Sequence, residues 1–140
     1  MMAWAFRLLD EIRHRARRKR WHADLATGRR GEDLAHRYLE KTGMVVVARN
    51  YKTPSGTAEV DLIAWDRHDL VFVEVKSRQT DEYGAPERAV DEPKRRKIVY
   101  AALDYIRRAG FDHPSVRFDV VSIVFGRGEH VEHIRDAFGP

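Results

Sequence analysis

The 140-residue chain contains no cysteine, which excludes a disulfide framework, a thiol nucleophile and a cysteine-ligated zinc site. No apolar run approaches the roughly twenty residues that a membrane-spanning helix needs. The N-terminus also places its apolar patch before its charges, which is the reverse of a secretory signal. We therefore predict a cytoplasmic protein, in which hydrolysis by serine, carboxylates or a bound metal remains open.

The positive charge is concentrated at the N-terminus. Residues 1–30 contain nine Lys or Arg against three acids, whereas the other 110 residues contain 17 against 19. We therefore divide the chain into a basic N-terminal arm, partly helical or disordered, over residues 1–27 and one globular domain over residues 28–140. The arm is either a segment that binds nucleic acid or an acidic membrane surface, or a solvated extension. Its candidate nucleic-acid contacts are Arg17, Arg18, Lys19 and Arg20.

Hydrophobic periodicity predicts an α/β domain with the element order α-β-β-β-α-β. One apolar helical face lies within 29–42, and strands over 44–47, 60–65 and 70–76 form an antiparallel meander. A second helix starts at Pro93 and is followed by an almost continuously apolar strand over 116–125. A helix that joins two strands of one sheet implies a right-handed parallel crossover, so the sheet is mixed and flanked by helices.

Acidic residues inside apolar strands are the clearest candidates for chemistry. Asp61 and Glu74 lie opposite each other if the second and third strands pair through the turn at 67–69, and Lys76 shares the face of Glu74. Two facing carboxylates repel unless a cation lies between them, and oxygen ligands suit Mg²⁺ or Mn²⁺. Lys76 is then placed to hold the attacking water or to stabilise charge on a phosphate. An ordinary exposed hairpin with a charge-balanced polar face fits the spacing equally.

The two helices bring further charged residues toward the same sheet. Glu32 begins the buried stripe of the first helix. Lys94 begins that of the second helix, whose N-terminus favours anions, and is a candidate nucleic-acid contact. Either residue alone is compatible with a cap or a helix fringe. Arg78 lies on the face of Glu74 and Lys76 and is the preferred phosphate contact of the domain. Glu59 shares the face of Asp61 and is a further candidate.

Three other polar residues have weaker claims to a functional role. His130 and His133 are three positions apart, and a polar strand edge suits them better than a metal site. Asp119 is placed either to support the site from behind or to pair with Arg117.

Several ungapped blocks of the domain occur together and in a fixed order. They comprise Gly31-Glu32, Ala35, Tyr38-Leu39, Gly43, Arg49-Asn50, Glu59 to Ile63, Val71 to Arg78, Lys94, Ala102, Arg117 to Asp119, His133-Ile134 and Ala137-Phe138. In these blocks the chain resembles the YraN family, a group of small, largely uncharacterised bacterial proteins. The fold of that family resembles the restriction-endonuclease-like core of PD-(D/E)xK nucleases and archaeal Holliday-junction resolvases.

The resemblance implies roles for particular residues. Asp61 matches the first motif acid, Glu74 and Lys76 match the (D/E)xK pair, the carbonyl of Val75 is a further metal ligand, and Glu32 matches a helix-borne acid of resolvase-like members. These roles imply a Mg²⁺- or Mn²⁺-dependent nuclease acting on structured or branched DNA, with a homodimer as one possible assembly. The alternative is a nucleic-acid-binding or adaptor protein that keeps the nuclease fold without turnover.

The chain departs from the family pattern in two places. The family has Gly directly before Glu-Ile-Asp-Leu-Ile, whereas Thr57 and Ala58 separate Gly56 from Glu59 here. Residues 1–27 precede the usual start of the family, so the resemblance implies nothing about their role.

Overall fold

The computed structural model describes residues 26–79 and 90–140. A helix, α1, covers residues 26–41 of the described part. The elements that follow are β1 (Val45–Lys52), β2 (Glu59–Asp66), β3 (Asp69–Arg78), α2 (Glu92–Ala109), β4 (Ser115–Val124) and β5 (His130–Phe138). The four candidate contacts of the basic arm, Arg17, Arg18, Lys19 and Arg20, lie outside the described residues. Within the described residues, no helix is long and apolar enough to cross a membrane.

The five strands form one mixed sheet in the order β1-β2-β3-β4-β5. Strand β2 is antiparallel to both β1 and β3, and β4 runs parallel to β3 after the α2 crossover. The predicted α/β class, the antiparallel meander and the parallel crossover are therefore confirmed. The architecture is consistent with a restriction-endonuclease-like core, in which a mixed sheet is flanked by helices.

The two helices cover opposite faces of this sheet. On one face, Ala35 and Leu39 of α1 pack with Leu62 and Val73 of the central strands. On the other face, α2 contributes buried Ile98, Ala101 and Ala102 to a cluster that contains Ile63, Phe72 and Val120. Since the central parts of β2 and β3 are buried on both faces, Leu62 to Ala64 and Leu70 to Val73 are continuously apolar and do not alternate with polar residues.

The start of α2 has the sequence features of a helix N-terminus. The Asp91 side chain accepts the backbone N–H of Lys94 at 3.0 Å, and a proline occupies the first helical turn. At the other end Gly110 adopts φ 74°, the left-handed conformation that glycine tolerates best. Farther along the helix, the Tyr51 hydroxyl of β1 donates to Asp104 of α2 at 2.5 Å. These contacts fix the position of α2, and hence of Lys94, above the sheet.

The structure differs from the predicted strands in two main ways: one strand is longer than predicted, and one was not predicted. Strand β1 extends to Lys52, five residues beyond the predicted end at Val47. A fifth strand, β5, pairs antiparallel with β4 and was missing from the predicted α-β-β-β-α-β order. His130 and His133 lie in this edge strand, but the His133 side chain is buried and only 2% exposed.

Asp119 belongs to a buried ionic cluster and does not line the candidate site. Its carboxylate accepts from Arg117 Nε at 2.9 Å, from the backbone N–H of Asp136 at 3.0 Å, and contacts His133 Nε2 at 2.7 Å. Arg117 also reaches Asp66 at 2.9 Å. The expected pairing of Asp119 with Arg117 is therefore present, and this cluster joins β2, β4 and β5.

Helix α1 approaches strand β3 at a position where only glycine fits. A Cβ atom built on Gly31 would lie 1.7 Å from Ser77 Oγ and 2.9 Å from Ser77 Cβ. The missing side chain lets the start of α1 lie against β3, and this contact positions Glu32, the next residue along the helix, beside the sheet.

Substituting Gly31 by alanine should therefore destabilise the protein. In a helix interior, alanine normally gains up to about 1 kcal/mol over glycine. Here overpacking against Ser77 should reverse that gain and lower the free energy of unfolding by about 1–3 kcal/mol, measured by urea denaturation. Gly28→Ala is the matched control, since nothing lies within 4 Å of a Cβ at that position of the same helix. Adding Ser77→Ala should restore part of the loss, and a Gly31→Ala variant as stable as Gly28→Ala would contradict the close approach.

Candidate metal centre

The candidate site lies where strands β2 and β3 stop pairing. Their last ladder pair toward this end is Leu62 with Val73, so the next two residues, Asp61 and Glu74, flank the point of separation. These two carboxylates belong to neighbouring strands and face each other across the gap, as the length of the hairpin predicts. Because the two strands separate here, side chains and not backbone hydrogen bonds occupy the space between them.

The Asp61 side chain replaces the missing strand pairing. Its Oδ2 accepts the backbone N–H of Val75 at 2.8 Å. In a β-strand the N–H and C=O of one residue point to the same side, so the Val75 carbonyl is directed toward the same gap. One carboxylate oxygen of Asp61 is therefore fixed on β3, and a backbone carbonyl of β3 points toward the same space.

Burial and neighbouring charges make an ionised Asp61 costly in the metal-free protein. Burial, followed by Coulombic repulsion from Glu74, raises the pKa of the Asp61 carboxyl to about 8, and Glu32 adds to the repulsion. The Val75 hydrogen bond opposes these effects without outweighing them. A cation placed between the carboxylates would reverse this balance, because it would favour the ionised form of both acids.

Two lysines converge on the Glu74 carboxylate, whose side chain is only 4% exposed. Lys94 Nζ of α2 lies 2.5 Å from Glu74 Oε1, and Lys76 Nζ of β3 lies 3.8 Å from the same oxygen. Burial, then hydrogen bonding and repulsion from Lys94, lowers the pKa of Lys76. Burial, the largest single influence, would lower the pKa of Lys94 too, but attraction and hydrogen bonding to Glu74, with smaller contributions from Lys76 and Asp61, together raise it. Lys94 thus keeps its charge, while Lys76 gives up its proton more readily than an ordinary lysine.

These residues line one open cavity of about 340 Å³. Five charged residues line the cavity, namely Glu32, Asp61, Glu74, Lys76 and Lys94. The rest of the lining is formed by Thr27, Gly28, Val75 and Ser77. The structure therefore brings together the four predicted catalytic residues, the predicted carbonyl ligand and one of the predicted nucleic-acid contacts. It does so from four elements, namely α1, β2, β3 and α2.

Glu32 lines the cavity from α1 and forms an ion pair with an arginine of β1. Arg49 of β1 lies 3.7 Å from Glu32 and 2.8 Å from the neighbouring Asp33. Sequence reasoning assigned no role to Arg49, although the Arg49-Asn50 block carries part of the family resemblance. Its contact with Glu32 depends on how β1 lies beside α1, which the spacing of residues does not reveal.

The donor set fits a hard divalent cation with few protein ligands. Asp61, Glu74 and the Val75 carbonyl offer only oxygen, and Mg²⁺ typically binds one or two carboxylates while keeping several waters. Across residues 26–79 and 90–140, no three His, Asp or Glu side chains are arranged together as ligands of one ion. Glu32 therefore lines the cavity without forming a three-carboxylate cluster with Asp61 and Glu74.

Two other predicted residues lie outside this cavity. Arg78 ends β3, is partly exposed, and is absent from the described lining. Glu59 begins β2 as an exposed residue, and it too is absent from that lining. The shared face of Glu59 and Asp61 therefore does not bring Glu59 into the cavity. At this end β2 has parted from β3, and Glu59 pairs with Lys52 of β1.

The elevated pKa of Asp61 should appear in a titration. We expect the Asp61 carboxyl carbon to titrate near pH 8 in metal-free protein by ¹³C NMR, and at a lower pH in Glu74→Gln because one repelling charge is removed. The folded state holds this proton more tightly than the unfolded chain does. The free energy of unfolding should therefore fall as pH rises from about 4 toward 8.

The test variant and its control replace two acidic residues that lie two positions apart on β2. Asp61→Asn should remove the pH-dependent loss of stability, whereas the exposed Glu59→Gln should retain it. Titration of Asp61 near pH 4 in the wild type would contradict the proposed burial and repulsion.

Comparison with known proteins identifies the family. The model of the uncharacterised protein family UPF0102 matches residues 31–123. A UPF0102 protein of Solibacter usitatus is 50% identical over 131 residues, covering 94% of this chain and 98% of the relative. A UPF0102 protein of Rhodococcus jostii is 49% identical over 117 residues, covering 82% and 98%.

The match to the Solibacter protein also extends beyond the globular domain. Its 131 aligned residues exceed the 113 residues from 28 to 140, so part of the basic N-terminal arm is included. The matched region of the family model spans α1 through most of β4, which includes every described residue of the candidate metal centre except Thr27 and Gly28. The chain therefore belongs to UPF0102, which is the YraN family that its sequence blocks resemble.

Proposed function

We propose that this protein is a metal-dependent nuclease that hydrolyses phosphodiester bonds in DNA, with a preference for structured or branched DNA. The observation that carries the proposal is the convergence of Asp61, Glu74, Lys76 and Lys94 on one open cavity where two strands part. Two carboxylates, a lysine with a lowered pKa and a second lysine that stays charged are the groups that metal-assisted phosphodiester hydrolysis needs.

In this proposal Asp61, Glu74 and the Val75 carbonyl hold Mg²⁺ or Mn²⁺. The ion, when bound, supplies positive charge that neutralises the phosphate and lowers the pKa of a coordinated water. Asp61 remains fixed to β3 through its bond to the Val75 N–H. This bond keeps the carboxylate in place when its proton is lost.

Lys76 and Glu32 act on the attacking water and on the developing charge. The lowered pKa of Lys76 increases the fraction of neutral amine that can accept a proton near neutral pH, and it makes the ammonium form a stronger proton donor. Glu32, held by Arg49 at the edge of the cavity, accepts a hydrogen bond from the water and orients it. Both side chains line the same cavity as the carboxylates, so neither requires a rearrangement of the fold.

Phosphate contacts in this proposal come from the cavity wall and from the basic arm. Lys94 lies in the first turn of α2, where the helix N-terminus also favours an anion. Arg78 lies farther along β3, and Arg17, Arg18, Lys19 and Arg20 would add sequence-independent affinity that weakens with salt. A DNA substrate would place the protein in the cytoplasm. A homodimer, which the resolvase resemblance implies, stays a prediction.

The second candidate function is a DNA-binding or adaptor domain that keeps this fold without turnover. The close ion pair between Lys94 and Glu74 favours it, because that pair neutralises Glu74 without a metal. Family membership by itself does not decide between the two functions, since fold does not establish activity.

Cleavage assays with matched acidic variants separate these two functions. Purified protein with Mg²⁺ or Mn²⁺ should cut at least one of a set of labelled linear, flapped and four-way DNAs. Asp61→Ala should remove the activity, and Lys76→Ala should lower it by roughly 10²- to 10⁴-fold, the usual contribution of a proton-transfer group. Glu59→Ala is the control, since this acid lies on the same strand but outside the cavity.

The Asp61→Ala variant also detects contaminating nuclease. Activity that survives in Asp61→Ala belongs to another protein. If the wild type binds these DNAs but cuts none of them with either metal, the nuclease proposal is wrong and the binding domain is the better description.

A further inference from the structure

Glu74 is paired far more closely with a lysine from another element than with the lysine of its own motif. Lys94 Nζ of α2 lies 2.5 Å from Glu74 Oε1, whereas Lys76 Nζ lies 3.8 Å from that oxygen. The motif spacing predicts only the Lys76 contact. The nearest positive charge to the buried carboxylate is therefore a side chain that reaches the sheet from the opposite wall of the cavity.

The two partners of this ion pair differ in their freedom to move. Glu74 lies within β3 and its side chain is only 4% exposed, so its carboxylate can move little without disrupting the strand. The Lys94 side chain is 40% exposed and belongs to the first turn of α2, where its long aliphatic stem allows the ammonium group to turn toward solvent. If the pair separates, Lys94 is the partner that moves.

An ammonium group and a divalent cation would compete for the same carboxylate. Both neutralise Glu74, and both would lie between Glu74 and the gap that Asp61 lines. Like charges within a few ångströms repel strongly in a partly buried site. Simultaneous close contact of both cations with the Glu74 carboxylate is therefore unfavourable.

We propose that Lys94 takes the place of the divalent cation at Glu74 in the metal-free protein and leaves this carboxylate when the cation binds. This inference rests on the proposed metal-dependent function. The exchange has two consequences. It keeps the acidic cluster neutralised while no metal is present, and it frees an ammonium group at the cavity mouth, where a phosphate would enter, only once metal is bound.

Mn²⁺ binding to the full chain tests this exchange, with no DNA present. By isothermal titration calorimetry, Lys94→Met should bind Mn²⁺ more tightly than the wild type, by on the order of tenfold, because the competing ammonium is removed. Lys97→Met is the matched control. It removes the same charge from the next turn of the same helix, at an exposed position outside the described lining, and should change the affinity by less than about twofold.

Thermal unfolding separates displacement from simple charge repulsion. In metal-free buffer, Lys94→Met should melt about 2–4 °C below the wild type because Glu74 loses its partner. In saturating Mn²⁺ that difference should disappear, since the cation then neutralises Glu74 in both proteins. Lys94→Arg retains a positive charge and should bind Mn²⁺ as weakly as the wild type does, which gives a second variant if Lys94→Met does not fold.

The outcomes that overturn the exchange are distinct from failure of the nuclease proposal. Equal Mn²⁺ affinity in the wild type and Lys94→Met, equal tightening in Lys97→Met, or a melting difference that persists in saturating Mn²⁺ would each overturn the exchange alone. Absence of Mn²⁺ binding in the wild type and in every variant would overturn the exchange and the proposed metal-dependent function together.

Discussion

The hydrogen bond from the Val75 N–H to the Asp61 carboxylate is the interaction on which the site depends. It forms where β2 leaves β3, and it satisfies a backbone donor that would otherwise lack a partner in the ladder. By doing so it fixes an acidic side chain at the start of a gap between strands, with the Val75 carbonyl directed to the same side. Without this bond, the separation of the strands would leave an unpaired edge and no preorganised ligand.

Charge compensation around this bond comes from three different elements. Lys94 neutralises Glu74 from α2, Lys76 does so from β3, and Arg49 pairs with Glu32 from β1. Asp61 is the exception, because burial and the repulsion of its neighbours raise its pKa instead. The cluster is therefore arranged so that one further positive charge would be accommodated at Asp61, which is the electrostatic basis of the metal-site proposal.

Much of the fold could be predicted from the sequence, and so could the placement of Asp61 opposite Glu74. The short turn between β2 and β3 and the period-two alternation of side chains were enough to place Asp61 opposite Glu74. The apolar run of β4 indicated a strand covered on both faces. The family resemblance, now confirmed by the UPF0102 match, identified the same residues through their motifs.

The remaining features depend on tertiary contacts or on local irregularities. Strand β5 was missed because its register shifts beside β4 and Asp136 adopts φ 53°, so its apolar residues do not alternate strictly. Strand β1 was predicted too short because its second half contains polar Arg49 and Asn50, with Asn50 at φ 50°. The contacts of Arg49 with Glu32 and of Lys94 with Glu74 join elements whose relative placement no spacing rule specifies.

A crystal structure of the full chain grown with Mn²⁺ tests the central claim most directly, because the anomalous signal of manganese locates the ion independently of any activity. The account predicts an anomalous peak in contact with the carboxylates of Asp61 and Glu74 and with the carbonyl oxygen of Val75. An ordered cavity without such a peak, at a Mn²⁺ concentration that saturates the protein in solution, would contradict it.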